Sequence, residues 1–241
     1  MKILTPSTVL FVLINFQIIA QESSYDTTAI KILDRMGEKI GELSSCSYTL
    51  NNSLDVADPE LKIIKYLIIN DVYMVGPNKM KIESRGDKGH RGYWYNGKHI
   101  VYYSYDENNY AVLDVPPTIM ETIDSLNRAY GIDFPAADFF YPYFTDDLIE
   151  NSNQIVYRGK SNVNGKECSN ILAVGSEQSI QIWIDDDSAM PMKFVIHLYK
   201  PDSHIQYEGT FSNWILNPTL QDSMFEFTPP ANANKLRLIA K

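Results

Sequence analysis

Four histidines, two cysteines and a run of three aspartates are the side chains here whose chemistry could go beyond packing. His90, His99, His197 and His204 fall on separate strand-like segments. His90 and His99 flank Asn96-Gly97, so a hairpin turning there would let the two rings face each other. A zinc ion would need further ligands, and no HExxH or HxxxH spacing supplies them, so the histidines read as solvated strand residues. Asp185-Asp186-Asp187 precedes Ser188 without the glycine and distal glutamate of a calcium loop, and reads as a solvated turn. There is no GxSxG, and Gly97-Lys98 and Gly165-Lys166 lack the rest of a phosphate loop. The expectation is therefore no catalytic residue, no metal and no cofactor.

Cys46 and Cys168 lie in strand-like segments far apart in sequence. In an oxidising compartment a disulfide between them would close a long loop, worth about 4–5 kcal/mol in the chain-entropy model. Two buried free thiols are the alternative. Neither has a histidine nearby in sequence, which argues against a catalytic thiol.

The remaining chemistry is aromatic. Five aromatic residues fall within Phe139 to Phe144, and Tyr93, Trp94, Tyr95, Tyr102, Tyr103 and Tyr105 crowd a central hairpin, with Trp183 and Phe194 beyond. Sites for apolar molecules are lined mainly by apolar and aromatic side chains. Alternation puts Trp94, Tyr102 and Trp183 on inward faces. Ile119, Ile123 and Leu126, spaced for one helix face, would join Phe139, Phe140 and Phe144 above them.

The elements that must position these groups emerge from the pattern. Tyr25 to Leu43 is an amphipathic helix by period. Ser44 to Val56 alternates as a half-buried strand, and Leu61 to Val75, apolar on both faces, predicts a central strand covered on each side. Lys79 to Arg85, the GHRGYWY and KHIVYYSY pair about Asn96-Gly97, and YAVLDV continue as strands. Residues 116–152 interrupt them: Pro116-Pro117 and Thr118 with Glu121 start a helix, Gly131 stops it, and Pro142 breaks the aromatic stretch after it into short turns. The whole interruption predicts a helical lid. Strands resume over 154–163, 168–174, 179–184, 193–199 and 204–214, and the tail from Asn217 to Phe227 predicts an edge strand or surface arm. Hairpins throughout, without strand–helix alternation, predict an α+β fold whose antiparallel, strongly curved sheet or incomplete barrel has helices covering its concave side.

Lys2, the apolar run through Ile18-Ile19-Ala20 and the polar residues beyond match a secretory signal peptide over residues 1–20, cleaved after Ala20. Residues 21–241 then predict one exported domain without a permanent anchor. Removing Lys2 shifts the formal charge from −9 to −10, which disfavours nucleic acid and anionic membranes as partners.

The leading helix YDTTAIKILDRMGEKIGEL, the strand SSCSYTL, the hairpin GYWYNGKHIVYYS, the helices PPTIMETIDSLNRAYG and FPAADFFYPYF and the run MFEFTPPANA together resemble the LolA/LolB/LppX-like superfamily of periplasmic lipoprotein carriers. Within it, they resemble an uncharacterised family of predicted periplasmic proteins, domain of unknown function 2092. The resemblance spans Tyr25 to Pro230 and implies an unclosed barrel whose apolar interior accepts acyl chains. Unlike the carriers, which have an arginine early in the barrel, this chain has none from Leu43 to Leu54. Expected partners are a lipid or lipoprotein acyl chains, and alternatively an envelope protein docking on the tyrosine-rich outer face.

Overall fold

The computed structural model describes residues 24–134, 136–200 and 203–240. The expected signal peptide over 1–20 lies outside them. The strands are β1 (Ser24–Tyr25), β2 (Ser45–Asp58), β3 (Lys62–Val75), β4 (Lys79–Gly86), β5 (Gly89–Tyr95), β6 (His99–Ser104), β7 (Asn109–Asp114), β8 (Gln154–Val163), β9 (Lys166–Val174), β10 (Gln178–Asp185), β11 (Pro191–Lys200), β12 (Ser203–Leu216) and β13 (Asn234–Lys235). The helices are α1 (Thr27–Gly41), α2 (Ile119–Tyr130) and α3 (Phe144–Glu150), with 3-10 turns at Ala137–Phe140 and Asp222–Phe225.

All thirteen strands form one open sheet, in the order β1-β8-β9-β10-β11-β12-β2-β3-β4-β5-β6-β7-β13. Pairing is antiparallel except for two short parallel contacts, β1 with β8 and β13 with β7. Register shifts in β8, β10 and β12 mark bulges, which bend strands and sharpen curvature. The α+β architecture expected from the sequence, a curved and unclosed sheet with helices on one face, is the one observed.

Local chemistry fixes the helices. Asp26 caps α1 by accepting from the Thr28 N–H at 2.7 Å, and the apolar stripe Ala29, Leu33, Met36 and Ile40 is buried. Thr118 caps α2, accepting from the Glu121 N–H at 3.3 Å while donating to the Glu121 carboxylate at 2.8 Å. Gly131 ends α2 at φ 63°, a left-handed conformation suited to glycine.

Among the described residues of 116–152, the start of α2 and the 3-10 turn pack directly on the sheet. The start of α2 is tied to the sheet by Ile119 N–H to Pro77 O at 2.9 Å and by the Tyr95 hydroxyl to Pro116 O at 2.8 Å, while Thr122 within α2 donates to the same Pro116 O at 3.0 Å. Phe139 packs directly on the wall residues Phe194 and Phe211, with ring centroids at 5.4 and 5.7 Å. Phe140 stacks on Tyr48 at 5.9 Å.

The covering expected on both faces of β3 is corrected, and the open alternatives for the tail and the cysteines are resolved. β3 is central, but its outer face is open: Ile63, Leu67 and Ile69 are exposed while Asn70 and Val72 on the inner face are buried. The tail is a surface arm whose Phe227 covers Trp94, Tyr103 and Tyr110 at 4.9–5.8 Å, so part of the tyrosine-rich outer face is already occupied by the chain itself. Cys46 on β2 and Cys168 on β9 are free and buried, with β10, β11 and β12 standing between their strands. At about 4.8 Å per strand they are too far apart to bond. Burial pushes the Cys46 thiol up to about 12 and the Cys168 thiol up to about 11, so neither is a reactive thiolate.

Candidate functional site

The inner faces of β2 to β5 and β12 carry one residue in two. On β2 this series is Cys46, Tyr48, Leu50, Asn52 and Leu54; on β3 it includes Ile68, Asn70 and Val72. Where the 3-10 turn presses on the sheet, Phe139, Phe194, Phe211 and Tyr48 fill the space. Next to them, a void of about 20 Å³ lies among Tyr48, Met74, Met80, Met120, Ile123 and Phe140. That is roughly room for a single water.

Along the later turns of α2 and past its end the layers part. A cleft of about 950 Å³ opens between the extended ends of these strands and the segment from Gly131 to Tyr141. Leu54, Ile68, Ile82, Ile123, Ile132 and Ile196 give it apolar walls. Its polar groups come from both layers: Asn52, Asn70, Ser84, Lys88, Arg91 and Tyr207 from the sheet side, and Asp124, Asn127, Arg128, Asp133, Asp138 and Tyr141 from the helical side. A site of this volume, with apolar walls and polar groups from both layers, suits a small amphipathic molecule.

The electrostatics are uneven. Desolvation, followed by the charges of Asp147, Asp124 and Asp133, raises the Asp138 carboxyl above its ordinary value, although the residue keeps solvent contact. Burial first, and then the negative charges of Asp138 and Asp133, hold the Tyr207 phenol well above the usual range. Tyr141 donates to Asp124 and Asn127 donates to Asp133, so two of these carboxylates are already oriented by neighbours. On the far side, Arg91 donates to the Lys88 carbonyl, and Lys88 lies 5.2 Å from the centre of the Tyr66 ring.

The residues expected from the sequence are distributed differently. Ile123 lines both cavities and Phe140 only the small void. Ile119, Leu126, Phe139 and Phe144 are buried in the packed core. Tyr102 faces inward, opposite Tyr93 at 5.5 Å, outside the cleft wall. Trp94 and Trp183 point outward, a correction of one residue in phase: Trp94 lies opposite Lys81 and under Phe227, and Trp183 lies opposite Lys193 at 5.6 Å. Their inward neighbours are Tyr93, Tyr95, Ile182 and Ile184.

His90 and His99 do not face each other across the hairpin. Strand pairing sets Tyr95 opposite Ile100 and Arg91 opposite Ser104, which puts His90 and His99 at opposite ends of the hairpin. His90 Nε2 lies 3.1 Å from Glu83 and its ring stacks on Tyr105, while His99 Nδ1 lies 3.5 Å from Asp114. Among the described residues no group of three or more metal-ligating side chains converges.

Sequence reasoning missed Asn52, Tyr207, Asp133, Asp138 and Ile196. One signal was available for Asn52 and Asn70: each is a polar residue in the inward phase of an otherwise apolar series. Asp133 and Asp138 carry no local pattern, because what gathers them is the path of the chain after Gly131.

A family model described as "Predicted periplasmic protein (DUF2092)" matches residues 29–239. No curated protein matches the sequence. Among solved structures, an uncharacterised conserved protein from Thermus thermophilus is similar with a TM-score of 0.51 and 10% identity, covering 88% of this chain and 99% of that one. LprF from Mycobacterium bovis gives 0.47 and 13%, covering 88% and 100%, and a LolA superfamily protein from Nitrosomonas europaea gives 0.35 and 11%, covering 83% and 97%. The Thermus likeness concerns the fold. No helix among the described residues is long and apolar enough to cross a membrane.

Proposed function

We propose that this chain, which belongs to the DUF2092 family of predicted periplasmic proteins, is an exported, non-enzymatic protein that holds a lipid or lipoprotein acyl chain as carrier or sensor. The observation that carries this reading is the cleft of about 950 Å³ with its isoleucine and leucine walls. Each methylene moved from water into such a wall contributes about 0.8 kcal/mol, so a partly enclosed chain is retained. The binding surface differs from the one the sequence suggests, because the aromatic plug fills the space beneath it and leaves the ligand the region beyond α2. Export rests on the apolar run ending at Ala20.

Native mass spectrometry of protein purified without detergent from its own envelope tests this. An adduct carrying an acyl chain is expected, and it should be lost in Ile68→Glu/Ile82→Glu, which charges two wall positions. Repeated preparations free of any lipid would contradict the proposal.

A second reading, an envelope protein-interaction module without a stable ligand, is favoured by a different surface. Leu61, Ile63, Leu67 and Ile69 are 68%, 40%, 57% and 43% exposed, and the three within β3 share its outer face. Contiguous exposed apolar groups of this kind mark contact surfaces.

A further inference from the structure

We propose that the β2/β12 end of the cleft is built for a primary ammonium group on the end of an alkyl chain. The proposal rests on the lipid-binding reading above and names the head group that reading leaves open. The first observation concerns the wall. Asn52 is 4% exposed and its Oδ1 has no hydrogen-bond partner among the described residues; the Tyr207 hydroxyl is likewise buried without one. Gly209 lies opposite Asn52 and Tyr207 lies opposite Leu54, so Asn52 and Tyr207 are diagonal neighbours on the inner face of two paired strands. Two buried oxygens without partners, on neighbouring residues of one wall, are groups that a donor would satisfy.

The second observation concerns the opposite layer. Asp133 and Asp138 line the same cleft, both bear on Tyr207, and neither makes an ion pair with any described lysine, arginine or histidine. Of the three basic side chains that line the cleft, Lys88 and Arg91 stand towards β5, three strand steps from β2, or about 14 Å at ordinary strand spacing, and Arg128 projects from α2; the charges that bear on Tyr207 are those of Asp138 and Asp133. The β2/β12 end of the cleft thus offers acceptors, and the charges bearing on its Tyr207 are both negative. An ammonium supplies three donors and one positive charge in a compact head, and its alkyl tail follows Leu54, Ile68 and Ile82. A carboxylate head would meet Asp133 and Asp138 as like charges.

Three single-chain probes of equal length, dodecylamine, dodecanol and dodecanoate, distinguish the possibilities by titration calorimetry below their micellar concentrations. The ammonium probe is expected to bind at least about tenfold tighter than the carboxylate, the factor that a charge contact worth 1.4 kcal/mol gives. Asp133→Asn/Asp138→Asn should abolish that preference. Asp34→Asn/Glu38→Gln, which makes the same charge change on the exposed side of α1, should preserve it. Equal or stronger binding of the carboxylate, or a preference that survives Asp133→Asn/Asp138→Asn, overturns the ammonium site while the lipid reading stands. Failure of all three probes to bind overturns both.

Discussion

Asp185 is 1% exposed, yet it keeps its charge. Burial alone would raise its carboxyl, but Lys166 at 2.6 Å, Ser188 at 2.6 Å and the Asp187 N–H hold it below the ordinary carboxylate value. A lowered folded value means stability that is present above the unfolded value of 3.8 and lost as pH falls through the folded one. Lys166→Met should therefore destabilise the protein at neutral pH by about 1–2 kcal/mol, since Lys166 is half exposed and Asp185 keeps its other donors. It should also flatten the acid loss in urea titrations below pH 4; an unchanged profile would refute the pairing. The aspartate run was readable as a turn, but its first member's burial was not. That burial depends on Lys166, which is adjacent only through strand pairing, and on α1, whose Arg35 donates to the Asp186 and Asp187 carbonyls at 3.1 and 3.2 Å.

At the scale of elements, the helices and the Asn96-Gly97 hairpin were legible because their signals are local: caps, a 3.6-residue stripe, a turn dipeptide. The inward phase of the aromatic strands was not. Alternation identifies a buried face only when the other face is wet, and here the helical layer covers one side of β5 while Phe227 covers the other at Trp94. Similarly, the lid pattern gave the helices of residues 116–152 but not their attachment. Pro116 O accepts from both Tyr95 and Thr122, which pins the start of α2. Removing both donors in Tyr95→Phe/Thr122→Val leaves that carbonyl unsatisfied and should cost about 2–3 kcal/mol. Hydrogen exchange of the α2 amides should accelerate by a matching factor. Exchange at the wild-type rate would show that the apolar face and the Ile119 N–H bond to Pro77 O hold α2 without these two hydroxyls.

Across the whole molecule, one open sheet carries three differently used surfaces: a packed region under the 3-10 turn, the cleft beyond α2, and the bare outer face of β3. The sequence announced an apolar interior and a plug, but not where contact between them stops. That boundary is set by the chain leaving Gly131 in a left-handed turn while β2 and β3 run on as strands of 14 residues each. The net charge of −9 does not separate the cleft from the outer stripe as the ligand's destination. Photo-crosslinking with a diazirine-bearing fatty acyl probe, followed by peptide mapping, tests the central claim most directly. We predict label on the peptides carrying Ile82, Ile132 and Ile196; label confined to Leu61, Ile63 and the outer face of β3 would contradict the cleft as the binding site and leave the interaction-module reading in its place.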